Sequence, residues 1–356
     1  MTQFRSRTRR RFLGVAAPLL VAALALGACG GGDDDEATDD TAATPTTREP
    51  VTTTTGAPVI APLTGLVDPT GTSTQRGPLW VKVDNNMQTQ RPPQAGLEAA
   101  DVVYEEPIEN VATRFLALFH SNLPTRIGPV RSTRFLDPGI VWHIGGTYVF
   151  SGGTPPKVEA IRNAPVKTVD ENGLQTSGSR ERDPDFRAPH NLFFDPAVLL
   201  AWAEIEDRTP PEPMFAFLDE GQVFDGDAAS IVEIPTFSKP RYTWDSAVGG
   251  WKREAQLYSG RGIEPHIAES GQQLAPANII VQLIPRIRDN IDDRALVTGE
   301  GDAWVCSQGA CVQGRWSRPE LEANTTFTDA LGGEIKLTPG TTWIHFITSD
   351  APTITP

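Results

Sequence analysis

The sequence predicts an α+β protein in which a mixed α/β domain precedes a mostly β domain. Between residues 62 and 208, runs rich in Val, Tyr, Phe and Leu alternate with helix-start signals. From residue 214 to about 350, short β-like runs are separated by Asp-Ser, Gly-Gly and Pro-Gly turns. Thr209–Pro213 holds three prolines in five residues, which favours a domain boundary there.

Residues 1–28 have the pattern of a lipoprotein export signal. A basic head with Arg9-Arg10-Arg11 precedes the apolar run Val15–Leu26, and small residues lead to Cys29. The run is short for a bilayer span and has no basic stop-transfer residues after it. We therefore expect cleavage before Cys29, lipid on Cys29, and a location on the outer face of the cell membrane. Sec and twin-arginine export both fit the arginines.

The composition of residues 29–61 predicts a disordered tether. Asp33-Asp34-Asp35-Glu36 is followed by a Thr- and Pro-rich stretch that contains almost no apolar side chains. Such a segment cannot bury enough surface to fold, and its like charges favour extension. We expect it to hold the folded part away from the membrane.

The exported part is strongly acidic. The chain has 31 Lys and Arg against 45 Asp and Glu, and removal of the leader lowers the formal net charge from −14 to about −19. A surface of this sign repels nucleic acid and anionic headgroups. We therefore expect no nucleic-acid partner and membrane attachment through the lipid alone.

The predicted elements of the first domain follow in order. Strands are expected at 79–84, 101–107, 114–120 and 147–150, because these runs are apolar and bounded by Pro, Gly or Asn. A helix is expected over 132–143, interrupted or restarted at Pro138-Gly139. Thr154-Pro155 and Asp195-Pro196 predict two further helix starts, the first helix reaching Arg162.

In the second domain, β-like runs occupy 230–237, 241–244, 250–254, 278–284, 303–315, 333–337 and 343–348. Cys306 and Cys311 flank Gln308-Gly309, which indicates a hairpin clamped by a disulfide, the usual pairing outside the cytoplasm. A redox or metal pair would favour a two-residue spacing and more ligands.

A basic island in this acidic chain marks the candidate site. No acid occurs between Asn110 and Leu136, and the Gly128-Pro129 turn leads to Ser132 at an expected helix start. Helix-start amides bind anions, and guanidinium groups hold carboxylate or phosphate with paired hydrogen bonds. The Gly152-Gly153 turn offers a second such junction. The predicted anion-binding residues are Arg114, Arg126, Arg131, Ser132, Arg134, Gly152, Gly153, His190 and Asn191.

Two alternatives stay open for these residues. The arginines could form structural ion pairs with Asp84, Asp101, Glu105, Glu106 or Asp137. His190-Asn191 could line the cleft, or His190 could hydrogen-bond backbone in a turn.

Nine sequence blocks resemble the YerB-like bacterial lipoproteins. The resemblance covers nearly all of the chain beyond the tether and implies two YerB-type domains. It implies no activity, because the biochemical function of that family is unknown. The cysteine pair is not part of the motif. The blocks are Pro62–Leu66, Val83–Asn85, Ala100–Glu105, Thr113–Phe115, Ile127–Ser132, Ala188–Leu192, Gly314–Trp316, Phe327–Asp329 and Pro339–Ile344.

The sequence favours a binding protein over an enzyme. The five histidines are scattered without metal-ligand spacing, and no Gly-x-Ser-x-Gly elbow occurs. We expect no cofactor, no metal, and a partner that is an anionic envelope component or a protein. The alternative is a glycan-acting cell-wall hydrolase that uses Asp101 or Glu105 with His190, since paired carboxylates cleave glycosidic bonds.

Overall fold

Strands form most of the regular structure in the computed structural model, which describes residues 58–86, 92–108, 112–288 and 293–356. These residues belong to one unit, Thr55–Pro356. The predicted leader, Cys29 and all but the last four residues of the tether lie outside the described residues. Among the residues described, no helix is long and apolar enough to span a bilayer.

The described residues of the N-terminal segment, 58–208, form seven strands and four short α-helices. In chain order they are β1 (Leu79–Val83), β2 (Val102–Ile108), β3 (Ala112–Phe119), α1 (Asp137–Val141), β4 (Thr147–Val149), α2 (Pro155–Arg162), β5 (Lys167–Val169), α3 (Glu171–Ser177), β6 (Arg180–Arg182), β7 (Leu192–Phe194) and α4 (Pro196–Leu200).

The C-terminal segment, residues 214–356, consists of strands and connections in its described part. The strands are β8 (Asp227–Ala228), β9 (Ile231–Glu233), β10 (Arg241–Asp245), β11 (Gly250–Ala255), β12 (Glu264–Pro265), β13 (Asn278–Leu283), β14 (Arg286–Arg288), β15 (Asp293–Ala295), β16 (Gly299–Ser307), β17 (Ala310–Arg318), β18 (Thr326–Thr328), β19 (Thr342–Ile347) and β20 (Thr353–Thr355). The α+β class, mixed first and mostly β afterwards, is confirmed.

One large sheet runs through both segments. Its strand order is β18-β17-β16-β13-β19-β2-β3-β1-β4-β5, and β8 also pairs with β17. Strand β19 lies parallel to β2, with Thr342 opposite Val102 and His345 opposite Glu105, and parallel to β13 on its other side. Both segments therefore contribute strands to one shared sheet.

Each face of this sheet is covered. On β3, Phe115 and Phe119 point into a core shared with Tyr242 and Trp251 of a second, five-stranded sheet, order β12-β11-β10-β9-β20. Leu116 points to the opposite core, which contains Ile140 of α1 and Ile161 of α2. Burial on both faces explains why the central strands read as continuous apolar runs.

Local turn and cap signals predicted their elements well. Helix α2 starts after Thr154 and ends at Arg162, and Asp195 caps α4 by accepting from the amides of Ala197 and Val198. Gln308 and Gly309 have φ of 49° and 75°, the left-handed pair of a tight hairpin turn. Cys306 and Cys311 face each other across this hairpin and form the predicted disulfide.

Two predicted elements are wrong. The helix expected from Ser132 begins only at Asp137, because the preceding backbone bonds to strand ends instead: the Arg131 amide donates to Lys82 O and the Thr133 amide to Gly152 O. The run 333–337 is not a strand, since it pairs only through isolated bridges at Glu334 and Leu337.

Candidate functional site

The candidate site surrounds Asp84, which directly follows β1 and is fully buried. His190 Nδ1 lies 2.6 Å from its Oδ2 atom. Arg114 Nη1 and Arg131 Nε lie 3.5 and 3.8 Å from its Oδ1 atom. We call Asp84, Arg114, Arg131 and His190 the Asp84 site. It lies beyond the carboxyl end of β1, next to the parallel strand β4, the edge at which open sheets commonly bind ligands.

Arg131 is held rigidly at this edge. Its amide donates to Lys82 O at 2.8 Å, and its carbonyl accepts from Ser151 N at 2.9 Å. The side chain is 11% exposed, and its Nη1 donates to Pro189 O at 3.1 Å. Its Nε is buried and has no hydrogen-bond acceptor. Burial lowers the pKa of Arg131 and Asp84 opposes that change, so the guanidinium stays charged.

His190 reaches the site from the loop before β7. Its Nδ1 atom lies within hydrogen-bond distance of the Asp84 carboxylate, and Arg131 Nη1 lies 3.4 Å from the same ring nitrogen. Asn191 contacts the loop that carries His190. Its amide donates to Asp183 O and Phe186 O at 2.8 and 2.9 Å, so it shapes the loop that carries His190.

A second buried network, centred on Asp137, contacts the Arg131–Arg134 segment. Lys82 Nζ donates to Asp137 Oδ1 at 2.7 Å and also contacts Glu106. Asp137 Oδ2 accepts from Thr133 Oγ1, Arg134 N and Tyr148 OH at 2.9, 2.7 and 2.5 Å. Burial lowers the pKa of Lys82 to about 8, and the charge of Asp137 opposes it.

Sequence reasoning placed Asp137 and Glu106 only among possible ion-pair partners and missed Lys82 and Tyr148. Lys82 could have been found, because it is a charge inside the otherwise apolar run of β1. Asp84 lies two residues after Lys82, and residues two apart along a strand point to the same face of the sheet.

The remaining predicted residues are distributed as follows. Ser132 lies between Arg131 and Thr133 but starts no helix. Arg134 is half-buried, and its charge reduces the pKa of Arg131. Gly152 accepts from the Thr133 amide, and an added Cβ at Gly153 would lie 3.1 Å from the Thr133 side chain. Ser132 and Arg134 lie on the same backbone segment as Arg131, whereas Gly152-Gly153 lies in the loop after β4, which is hydrogen-bonded to that segment.

Arg126 lies elsewhere. It pairs with Glu181, Asp183 and Glu269 in a surface network, and its guanidinium stacks 3.5 Å from the centre of the Phe193 ring. Arg126 therefore belongs to this surface network and not to the Asp84 site, and its charge is balanced by the acids there.

Other described residues engage the two acids of the hydrolase alternative. Asp101 accepts from the His120 and Ser121 amides, and burial raises its pKa to about 6. Glu105 lies 2.8 Å from Arg253 in the core that contains Phe115 and Tyr242. Burial alone would raise the pKa of Glu105, but the charge of Arg253 holds it below its ordinary value.

In the described part of the chain, no group of three or more His, Cys, Asp or Glu side chains could hold a metal ion.

Two family models match the folded part of the chain. The N-terminal domain of the protein of unknown function DUF3048 matches residues 63–209, and its C-terminal domain matches residues 232–344. The chain belongs to the DUF3048 family. The boundary between the two matches falls near the proline-rich segment 209–213.

A relative and a solved structure agree with the YerB-like resemblance of this DUF3048 protein. "Putative lipoprotein YerB" of Bacillus subtilis (strain 168) is 27% identical over 297 residues, which span 81% of this chain and 86% of the relative. The crystal structure of the YerB protein from Bacillus subtilis has a TM-score of 0.71 and 23% identity, and covers 84% of this chain and 100% of that chain. The structural match shows a shared fold.

We predict that Asp137→Asn destabilises the protein by about 3 kcal/mol, because it leaves the buried Lys82 charge less compensated and disturbs three hydrogen bonds. Denaturant unfolding measures this change. Asp302→Asn, which alters an exposed carboxylate paired with Arg315, is the matched control and should stay within about 0.5 kcal/mol of wild type. An Asp137→Asn protein as stable as this control would contradict the network's role.

Proposed function

We propose that this DUF3048 protein is a lipoprotein on the outer face of the cell membrane, and that it binds an anionic envelope ligand or partner without catalysis. The Cys29 export motif and the name of the Bacillus relative support the lipid anchor. The Asp84 site supports the anion binding.

One observation carries the anion proposal: Arg131 Nε is a buried donor without an acceptor. Its nearest carboxylate oxygen, on Asp84, is 3.8 Å away, beyond hydrogen-bond distance. A buried donor without an acceptor costs about 1–3 kcal/mol. An entering carboxylate or phosphate would supply new acceptors to the guanidinium and would let the Arg131–Asp84 contact rearrange.

The surroundings of Arg131 suit a ligand that arrives from solvent. The backbone of Arg131 and Thr133 is hydrogen-bonded to Ser151 and Gly152, and no atom lies within 4 Å of where a Cβ of Gly152 would be. Gly152 also has φ of +136°, a conformation that side chains rarely adopt. The turn therefore leaves open space next to the backbone segment that carries Arg131.

Binding is favoured over glycan hydrolysis because the catalytic pair of the hydrolase alternative is not assembled. Asp101 and Glu105 are both buried at 1% exposure or less, and each is engaged by other described residues. His190 is engaged with Asp84 instead. No specific observation favours the hydrolase, so we do not propose it.

We predict that Arg131→Ala abolishes ligand-induced stabilisation. A thermal-shift series with inorganic phosphate and with phosphorylated and carboxylated cell-wall fragments should stabilise the wild type by about 2.7 kcal/mol at a hundredfold excess over Kd. Arg162→Ala, at an exposed arginine on α2 paired with Asp170, is the control and should keep the shift. Equal shifts in Arg131→Ala, or none in the wild type, would contradict the anion site.

We predict that Cys29→Ala moves the protein from the membrane fraction to the soluble exported fraction, because the acidic folded part has no other affinity for anionic lipid. Cell fractionation with immunodetection measures the distribution. The Cys306→Ala/Cys311→Ala protein controls for cysteine loss and should stay with the membrane. Unchanged membrane association of Cys29→Ala would rule out lipid anchoring at this residue.

A further inference from the structure

The proline-rich segment 209–213 lies at the surface, and its burial repeats every three residues. Thr209, Pro210, Glu212 and Pro213 are exposed, whereas Pro211 is buried, as is Met214 three residues later. A period of three is that of a polyproline II helix, whereas a β-strand has a period of two. One face of the segment therefore packs on the protein, and the other two faces meet solvent.

The sequence enforces this conformation. A proline ring fixes φ near −65°, and the residue before a proline is restricted to extended or polyproline II backbone. One or both restrictions act on every residue from Thr209 to Pro213, and the peptide bonds before the three prolines are trans. Within the described part of the chain, the carbonyl oxygens of residues 209–212 accept no hydrogen bond, as expected of a helix whose backbone is solvated.

Both ends of the segment are fixed to the fold. The Thr209 amide donates to Asp207 Oδ1 at 2.9 Å, and the Asp207 carbonyl accepts from the Gly77 amide at 2.8 Å. At the other end, Asn324 Nδ2 donates to the Pro213 carbonyl at 3.0 Å. The segment is therefore ordered before a partner binds, so binding costs little conformational entropy.

The exposed prolines indicate what kind of partner fits. Pro210 and Pro213 are three residues apart, so they lie on one face of the polyproline II helix in the spacing Pro-x-x-P. Grooves lined by aromatic side chains recognise prolines at this spacing. The carbonyl oxygens between the two prolines are acceptors for a donor in such a groove.

The charge around the segment adds a second requirement. Residues 204–213 contain four acids, Glu204, Glu206, Asp207 and Glu212, against one base, Arg208. Arg208 already pairs with Glu206. The exposed Glu212 lies on a face adjacent to that of the two prolines. A complementary groove therefore carries Lys or Arg at its rim.

We propose that residues 209–213 are a preformed polyproline II ligand for a partner protein whose binding groove is lined by aromatic side chains and rimmed by basic ones. Pro210 and Pro213 pack against the aromatic rings, and Glu212 pairs with the rim. Pro211 stays packed on this protein. The surface shares no residue with the Asp84 site, so the proposal is independent of anion binding.

NMR titrations test the proposal with three isolated domains that have aromatic-lined grooves, an SH3, a WW and an EVH1 domain, as isotope-labelled probes. We expect the folded protein to shift the groove resonances of at least one domain. It should bind at least as tightly as the capped peptide Arg-Thr-Pro-Pro-Glu-Pro, because its segment is already ordered. Pro210→Ala/Pro213→Ala removes two exposed rings, so it should fold, and it should weaken binding about tenfold or more.

Pro155→Ala/Pro156→Ala is the matched control, because this exposed proline pair begins the helix α2. It should bind as wild type does, and so should Arg131→Ala. Circular dichroism and thermal melting check that each variant folds, and Pro210→Ala alone repeats the test with one exposed ring removed.

Three results would overturn the proposal. The first is no binding by any of the three domains, or equal binding by wild type and the proline double variant. The second is binding of the capped peptide without binding of the folded protein, which would mean that the fold hides the segment. The third is binding that survives in the proline double variant and disappears at high salt, which would assign the surface to charge alone.

Discussion

The buried ion pair between Glu105 and Arg253 is the interaction on which the fold depends. Glu105 belongs to β2 in the N-terminal segment and Arg253 to β11 in the C-terminal segment, and both side chains are 0% exposed at a separation of 2.8 Å. An ion pair at this depth is tolerated only if its other polar atoms are also satisfied. Here Thr113 and Ser238 donate to Glu105, and the Tyr242 hydroxyl accepts from Arg253 Nε at 3.2 Å.

The pair is also enclosed by aromatic side chains from both segments. Arg253 lies 5.5 Å from the centre of the Phe115 ring and 5.2 Å from that of Trp343. His345 Nε2 and the Tyr242 hydroxyl form a hydrogen bond of 2.9 Å. Burial lowers the pKa of His345 to about 4, so the imidazole is neutral at physiological pH. The second sheet therefore docks on the first in one arrangement, since any shift would leave a buried charge without its partner.

The same network extends to the Asp84 site. Gln94 Oε1 pairs with His266 Nε2 at 2.9 Å, and Gln94 Nε2 donates to the Asp84 carbonyl at 2.8 Å. His266 in turn contacts Arg253. The backbone that carries Asp84 is thus fixed by both sheets, which keeps Arg114, Arg131 and His190 converged on one carboxylate.

Local signals in the sequence predict many of the turns and helix starts of this molecule. They do not predict which strands pair when those strands are far apart in the chain. Thr154-Pro155, Asp195-Pro196 and Gln308-Gly309 act within a few residues, so their caps and turn follow from the sequence. One of the two neighbours of β2 in the sheet is β19, near the other end of the chain, and no local pattern indicates that pairing. The sequence groups Arg126 with Arg131 because they are close along the chain, whereas Glu181 of β6 and the distant Glu269 pair with Arg126.

A double-mutant cycle on Glu105→Gln and Arg253→Met, followed by denaturant unfolding, tests the central claim most directly. Each single substitution should lower the free energy of unfolding by about 3–5 kcal/mol, because it leaves one buried charge unpaired. The double variant should lose far less stability than the sum of the two single losses. All three variants should unfold in one transition, with the same midpoint for probes in either segment. Additive losses, or separate transitions for the two segments, would contradict the account.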